Sequence, residues 1–352
     1  MDTPHHDQES EIHDTSSESV DAHNGSDPLS DVLDTIRLSG ALFFLWEPRW
    51  PYGTGVAEGR RLSQHIVPGA DRVISYHIVT KGPCWGAVEG EQPVRLETGD
   101  ILVLPQGDAY KISNDPQYPT EEDKAASIAF FQAMAAGDIP PVVTTGGPGP
   151  QVNRLICGFL GCDMRPFNPL LSSLPRMIRI PAPGSGSDPL SSLIEFALSE
   201  SGKKQGGERC LLMRLSEVMF VEVLRRYLCT KTQNDSGWLE GLRDPLVGRA
   251  LGLLHKSYGE SWTLEKMARQ VGASRSTLAD KFTHIVGIPP MQYLLQWRMQ
   301  IAAGRLAGSS AKLYAIAREV GYESETTFSR AFKRVTGQTP KAWRDRCNRV
   351  GD

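Results

Sequence analysis

Five cationic side chains fall in two stretches that answer each other: Arg275 and Lys281 in the first, Arg330, Lys333 and Arg334 in the second. Guanidinium and ammonium groups displace counterions from phosphates, and an exposed Arg on a helix can also bond a guanine edge. From Pro245 to Asp352 there are 17 Lys and Arg against 8 Asp and Glu, a formal balance of +9, although the whole chain stands at -3. Residues 1 to 244 therefore carry -12. Such asymmetry gives the basic part a polyanion as its partner.

Cations can do this only if helices hold them outward, and the sequence repeats itself where they lie. Ser274, Leu278, Phe282, Gly287, Pro290 and Tyr293 recur fifty residues later as Ser324, Phe328, Phe332, Gly337, Pro340 and Trp343. Upstream, Ala268, Val271 and Gly272 correspond to Ala317, Val320 and Gly321 at an offset of forty-nine, so the second copy has one more residue in its turn. Each copy reads as helix, tight turn, helix. Thr263 caps a short helix through Gln270, and Ser274 caps a second with Leu278 and Phe282 inside. In the second copy Ile316, Ala317 and Val320 precede Gly321, and Ser324 caps a helix with Phe328, Ala331 and Phe332 inside. Two short helices about a glycine turn make a helix-turn-helix, whose second helix can enter a major groove. A plain four-helix packing unit would account for one copy, but two copies argue against it.

Between the copies, Pro290 to Ala307 reads as one helix with Pro at its first position. At about 1.5 Å per residue it spans about 25 Å, a rigid spacer between the modules. Residues 245 to 346, and above all IAREVGYESETTFSRAFKRVTGQTPKAWR, resemble the DNA-binding domain of the AraC/XylS family of bacterial transcription regulators. The resemblance implies two helix-turn-helix units on double-stranded DNA, with RNA polymerase as a further partner. It assigns base contacts to Ser276, Ala279 and Asp280 in the first helix and to Glu325, Thr326, Ser329 and Arg330 in the second. Arg275, Thr277, Lys281, Thr327, Lys333 and Arg334 stand beside them. Asp280 departs from the family's basic or amide residue, and Ala279 offers only a methyl, so the first helix is expected to read few base edges.

The 352 residues suit two domains with connecting pieces. Residues 1 to 28 hold no Lys or Arg, four of the eight His and little apolar surface, which predicts a disordered acidic tail. No apolar run is long enough for a membrane helix, and the acidic N-terminus is no signal peptide. Six cysteines without a regular framework fit the reducing cytoplasm.

Residues 29 to 182 change to short apolar runs parted by turn residues: Arg72 to Val79, Cys84 to Val88, Val94 to Leu96 and Ile101 to Leu104. That spacing predicts an antiparallel barrel or sandwich. The run SYHIVTKGPCWGAVEGEQPVRLETGDILVLPQGDAY resembles the cupin domains attached to some AraC-type regulators, as do CGFLGCD and LLSSLPRMIRI further on. The fold class is then α+β: a cupin-like antiparallel β-barrel that senses a small effector, followed by an all-α domain with two helix-turn-helix units. Tyr76, His77, Trp85 and Tyr110 are the candidate effector-binding residues, though aromatics in a small barrel are more often plain core. Catalytic cupins offer two close His, a Glu and a later His; here His77 stands alone and Tyr110 takes the late position. His77, Cys157 and Cys162 supply three of the four ligands a closed zinc site needs, so no metal or cofactor is expected.

Residues 183 to 230 read as a helical dimerisation segment. Leu211, Leu212, Leu215, Val218 and Met219 keep helical spacing, while Met213, Phe220, Val221 and Val223 widen the apolar face beyond what one partner surface covers. Residues 231 to 244 read as a polar linker to a DNA-binding domain over 245 to 348. The function that results is a sequence-specific DNA-binding transcription regulator, homodimeric and controlled by a small effector. The alternative is a cupin enzyme, a metal-dependent oxygenase or isomerase, with an appended DNA-binding module. Against it, two His and one carboxylate for iron cannot be gathered from residues near His77.

Overall fold

The structure, a computed structural model, describes residues 27–36, 38–118, 124–162, 166–182, 188–201, 203, 205–230 and 237–348. The expected acidic tail up to residue 26, and residues 231–236 of the expected linker, lie outside them. The strand-rich half begins with α1 (Pro28–Ile36), β1 (Ser39–Trp46), β2 (Gly53–Val56), α2 (Gly59–Ile66), β3 (Arg72–Lys81) and β4 (Cys84–Val88). It continues with β5 (Val94–Leu96), β6 (Ile101–Leu104), β7 (Tyr110–Ser113), α3 (Lys124–Ala136), β8 (Val142–Val143), β9 (Arg154–Cys162), α4 (Pro169–Ser172) and β10 (Ile178–Ile180). Helices α5 (Pro189–Glu200) and α6 (Glu208–Thr230) lead into the helical half. That half holds α7 (Trp238–Arg243), α8 (Pro245–Lys256), α9 (Leu264–Gln270), α10 (Arg275–Val286), α11 (Pro290–Gly308), α12 (Leu313–Glu319), α13 (Glu325–Thr336) and α14 (Pro340–Asn348). Among the described residues no helix is long and apolar enough to cross a membrane.

Two sheets pack face to face, one in the order β10-β6-β3-β9-β1-β8, the other β2-β7-β4-β5. The expected barrel does not close. Among the described residues no strand of one sheet pairs with a strand of the other, and β8 runs parallel to β1. The two sheets are joined through side chains, not through a continuous ladder.

Strand β3 shows how one sheet serves two cores. Successive side chains point to opposite faces of a strand, so a strand buried on both faces reads as an unbroken apolar run. Val73 and Val79 pack towards the four-stranded sheet, while Ile74, Tyr76 and Ile78 pack on the other side, where α6 lies. Gly40 lets α6 approach β1. A Cβ there would sit 2.5 Å from the Met213 carbonyl oxygen, and the Gly40 N–H donates to Glu217 at 2.7 Å. Leu215, on the expected dimerisation face, is 7 % exposed and packs inside this core, so one chain already covers it.

Residues 238 to 243, within the expected linker, are helix α7 and pack into the fold: Trp238, Leu239 and Gly241 are buried, and Trp238 donates through Nε1 to the Tyr293 hydroxyl at 2.7 Å. The core that starts outside the six-stranded sheet runs on through α5 and α6 into α7–α11. A separate core gathers Met299, Ile316, Phe328, Phe332 and Trp343 around α12–α14. The first helix pair of the repeat therefore shares its interior with the strand-rich half, and the second has its own.

Candidate nucleic-acid interface and sensor cavity

The two helix pairs are built alike at their ends. The Ser274 side chain accepts from Thr277 N at 3.1 Å at the start of α10, and Ser324 accepts from Thr327 N at 3.4 Å at the start of α13. Each cap satisfies a backbone donor that the first helical turn leaves open. Gly287 and Gly337 end these helices in the left-handed conformation, at φ 86° and 76°. Inside, Leu278 and Phe282 of α10 and Phe328 and Phe332 of α13 are fully buried. Burial of one face at a spacing of four turns the other outward. Arg275, Ser276, Thr277, Asp280 and Lys281 are exposed, as are Glu325, Thr326, Thr327, Arg330, Lys333 and Arg334, while Ala279 and Ser329 are half-buried beneath them.

The charges on the two outer faces differ. On α10, Arg275 pairs with Glu265 at 3.2 Å and Lys281 pairs with Asp244 at 2.6 Å. Asp244 also caps α8, accepting from Leu246 N and Val247 N at 3.0 Å each. Burial pushes its carboxyl up, but Lys281 and the two N–H groups outweigh that and hold it below its ordinary range. On α13, Arg330, Lys333 and Arg334 enter no ion pair among the described residues. The second helix thus presents cations without compensation, and the first presents Asp280 between two that are already engaged.

A cavity of about 280 Å³ lies between the two sheets beneath α3, walled by Phe44, Trp46, Phe130, Phe131 and Phe159, with His77 and Cys157 on its surface. The His77 Nε2 is 2.5 Å from the Tyr110 hydroxyl and its Nδ1 is 3.2 Å from the Cys157 sulfur. Burial pushes the imidazole down to about 3 and drives the Tyr110 and Cys157 groups well above their usual range. All three are neutral at any ordinary pH.

The other sequence candidates lie elsewhere. Tyr76 faces away from the cavity, its hydroxyl 3.1 Å from the Ser216 carbonyl and 3.0 Å from the Ser216 hydroxyl on α6. Trp85 points to the outer side of the four-stranded sheet, since Cys84, Gly86 and Val88 fill the inner side of β4. Cys157 and Cys162 sit on opposite faces of β9, in different cores, so His77 meets only the first. Among the described residues no three His, Cys, Asp or Glu side chains come together as a metal-ligating group. Sequence reasoning passed over Phe44, Trp46 and Phe159. The alternation of Leu42, Phe44 and Trp46 on β1 is the signal that marks one buried face.

Residues 27–229 match a family model described as cupin, and residues 267–346 match one described as a helix-turn-helix domain. An AraC-like transcription regulator from Streptomyces lividans is 32 % identical over 323 residues, 90 % of this chain and 98 % of the relative. A regulator of the same description from Streptomyces antibioticus matches with the same identity and coverage. The HTH-type transcriptional regulator AlkR of Acinetobacter baylyi is 29 % identical over 322 residues, 90 % of this chain and 99 % of that one.

Proposed function

The chain belongs to the AraC-like transcription regulators and is a DNA-binding regulator, and from that premise we propose how its parts share the work. The pairs α9–α10 and α12–α13 are two helix-turn-helix units, and α10 and α13 enter successive major grooves of one DNA duplex. The observation that carries this reading is the matched pair of caps, glycine ends and buried faces with polar residues outward. The free cations of α13 make it the stronger reader, with Arg330 on a guanine edge and Lys333 and Arg334 on phosphates. Glu325, Thr326, Thr327 and Ser329 stand within the same face. On α10, Ser276, Thr277, Ala279 and Asp280 face the bases, with Arg275 and Lys281 at the flanks.

The cavity around His77 is the effector site. It is concave, aromatic-walled and holds a few polar groups, as small-molecule sites usually do. Tyr76 and His77 are neighbours on β3 with opposite directions, one bonded to α6 and the other lining the cavity, so a shift of β3 on effector binding is felt at α6. Exposed Phe196 of α5 and Leu211 and Val218 of α6 offer an apolar strip for a homodimer. RNA polymerase as the partner of DNA-bound protein, and a cytoplasmic location, rest on the family alone. A cupin enzyme is the weaker reading, since the groups around His77 are a phenol and a thiol and not further His and carboxylate ligands.

Hydroxyl-radical footprinting on a selected operator tests the two-unit reading. Two protected patches about one helical turn apart are expected. Arg330→Ala should weaken one of them and Ser276→Ala the other. A single patch, lost with Arg330→Ala and unaffected by Ser276→Ala, would show that only one unit binds.

A further inference from the structure

We infer that the cavity between the sheets selects an uncharged aromatic molecule bearing a hydrogen-bond acceptor, of the aryl ketone or aldehyde kind, and rejects carboxylates of the same size. The inference rests on the reading of that cavity as the effector site and adds what the site can accept.

Charge comes first. Among the described residues no Asp, Glu, Lys or Arg lines the cavity. An ion buried without a counter-charge costs far more than a neutral group of the same shape. The titratable groups that face the space are His77 and Cys157, with Tyr110 and Cys84 behind them in the same core. Burial keeps His77 uncharged, and the hydroxyl and thiols stay protonated. Among the described residues of the lining, no side chain can become the cation that a carboxylate needs.

Shape and hydrogen bonding narrow the class. Phe44 and Phe159 stack with their planes 9° apart, while Phe131 meets Phe159 edge-on with centroids 4.8 Å apart. These flat walls suit a flat ligand. Since a cavity of roughly 150 Å³ takes benzene, about 280 Å³ leaves room for a substituted ring. Two hydroxyls on the lining each accept one hydrogen bond from this chain. Ser127 Oγ receives the Ala57 N–H at 3.2 Å, and Thr145 Oγ1 receives the Trp46 Nε1–H at 2.7 Å. Their own protons meet no acceptor among the described residues. Two spare donors in an uncharged, aromatic-walled space call for an acceptor on the ligand, and a carbonyl supplies it without charge.

Three probes of nearly equal size separate the possibilities: acetophenone, ethylbenzene, which lacks the acceptor, and benzoate, which carries the charge. Binding to the full-length protein is read by quenching of Trp fluorescence, to which Trp46 on the cavity wall contributes, and by the thermal midpoint. Acetophenone should bind about tenfold or more tighter than benzoate and more tightly than ethylbenzene. Its affinity should hold from about pH 5 to about pH 8, because His77 does not titrate there. Ala126→Trp on the exposed rim should abolish the acetophenone signal while the unliganded melting temperature is kept. Benzoate binding as tightly as acetophenone, with the signal still lost in Ala126→Trp, would overturn the ligand class and leave the cavity as effector site. Failure of all three to bind, or binding that Ala126→Trp does not change, would overturn the cavity reading itself.

Discussion

His255 and Asp31 meet where the strand-rich half touches the helical half, with Nδ1 of the imidazole 3.4 Å from the Asp31 carboxylate. The direction of this contact follows from a chain of hydrogen bonds. Trp238 Nε1–H donates to the Tyr293 oxygen at 2.7 Å, and the Tyr293 hydroxyl is 2.7 Å from His255 Nε2; with a carboxylate at Nδ1, the tautomer that serves both contacts has Tyr293 donating to Nε2. The neutral ring then carries its own proton on Nδ1. Burial holds the imidazole below its ordinary range although Asp31 pulls the other way. Helix α1, which touches α4, α8 and α11, brings Asp31 to an N–H that has no closer partner among the described residues of the helical half.

Removing that acceptor should loosen α1. Because Asp31 is 40 % exposed and the contact is long, the cost falls at the lower end for a lost partner, about 1 kcal/mol. Asp31→Ala should therefore speed hydrogen exchange over residues 28 to 36 about fivefold, while Asp31→Asn, which keeps an acceptor, restores most of the protection. Equal exchange in wild type and Asp31→Ala would show that the contact contributes nothing to docking.

Arg330→Ala should weaken operator binding by about 1 to 3 kcal/mol and relax preference at one base pair. Lys333→Ala should instead lower affinity for all sequences alike and reduce the salt dependence by about one counterion. A gel-shift titration over several salt concentrations measures both. Loss of equal size on operator and on random DNA for both variants would make Arg330 a phosphate contact.

Asp280→Ala should raise non-specific affinity and relax preference at one position of the other half-site. With Arg275 held by Glu265 and Lys281 by Asp244, no ion pair among the described residues neutralises Asp280 against phosphates. Binding-site selection with the variant decides the matter. Preference as sharp as wild type at every position, with unchanged affinity for random DNA, would make Asp280 an idle surface charge.

On α6 the exposed and the buried apolar residues predict opposite failures. Val218 is 53 % exposed, so Val218→Asp should leave the fold intact and move sedimentation from dimer to monomer. Leu215→Asp places a carboxylate in the core and should lower the melting temperature sharply. A dimer that survives Val218→Asp would put the interface elsewhere.

His77 should make the protein acid-sensitive. Its folded value, about 3, lies below the ordinary 6.5 of the unfolded chain, so unfolding takes up a proton between those values. Stability is then full above about pH 6.5 and falls as pH drops towards 3, by about 1.4 kcal/mol per pH unit from this group. His255, also held low, adds in the same direction. Urea midpoints between pH 6 and pH 4 should fall less steeply in His77→Gln than in the wild type. Parallel slopes would show that the ring is not held neutral in the fold.

The helix pairs were legible in the sequence because their determinants are local. A cap, a glycine turn and an apolar spacing of four act within ten residues, and they define α10 and α13 with Arg330, Lys333 and Arg334 outside. The glycine turns already show where local rules end. Gly272 and Gly321 both take positive φ, but a Cβ on Gly272 would meet nothing, while on Gly321 it would lie 2.6 Å from the Gly259 carbonyl oxygen. Only the packing of the second module makes that difference. Tertiary structure likewise decided which cations are free, since Glu265 reaches α10 from α9 and Asp244 from the cap between α7 and α8. Alternation along β3 separates Tyr76 from His77 by face, but the position of α6 and of the second sheet determines which residue meets a cavity and which meets a helix. Leu215 is interior for the same reason. Such contacts join segments far apart in the chain, where strand order and helix packing, not spacing, set who meets whom.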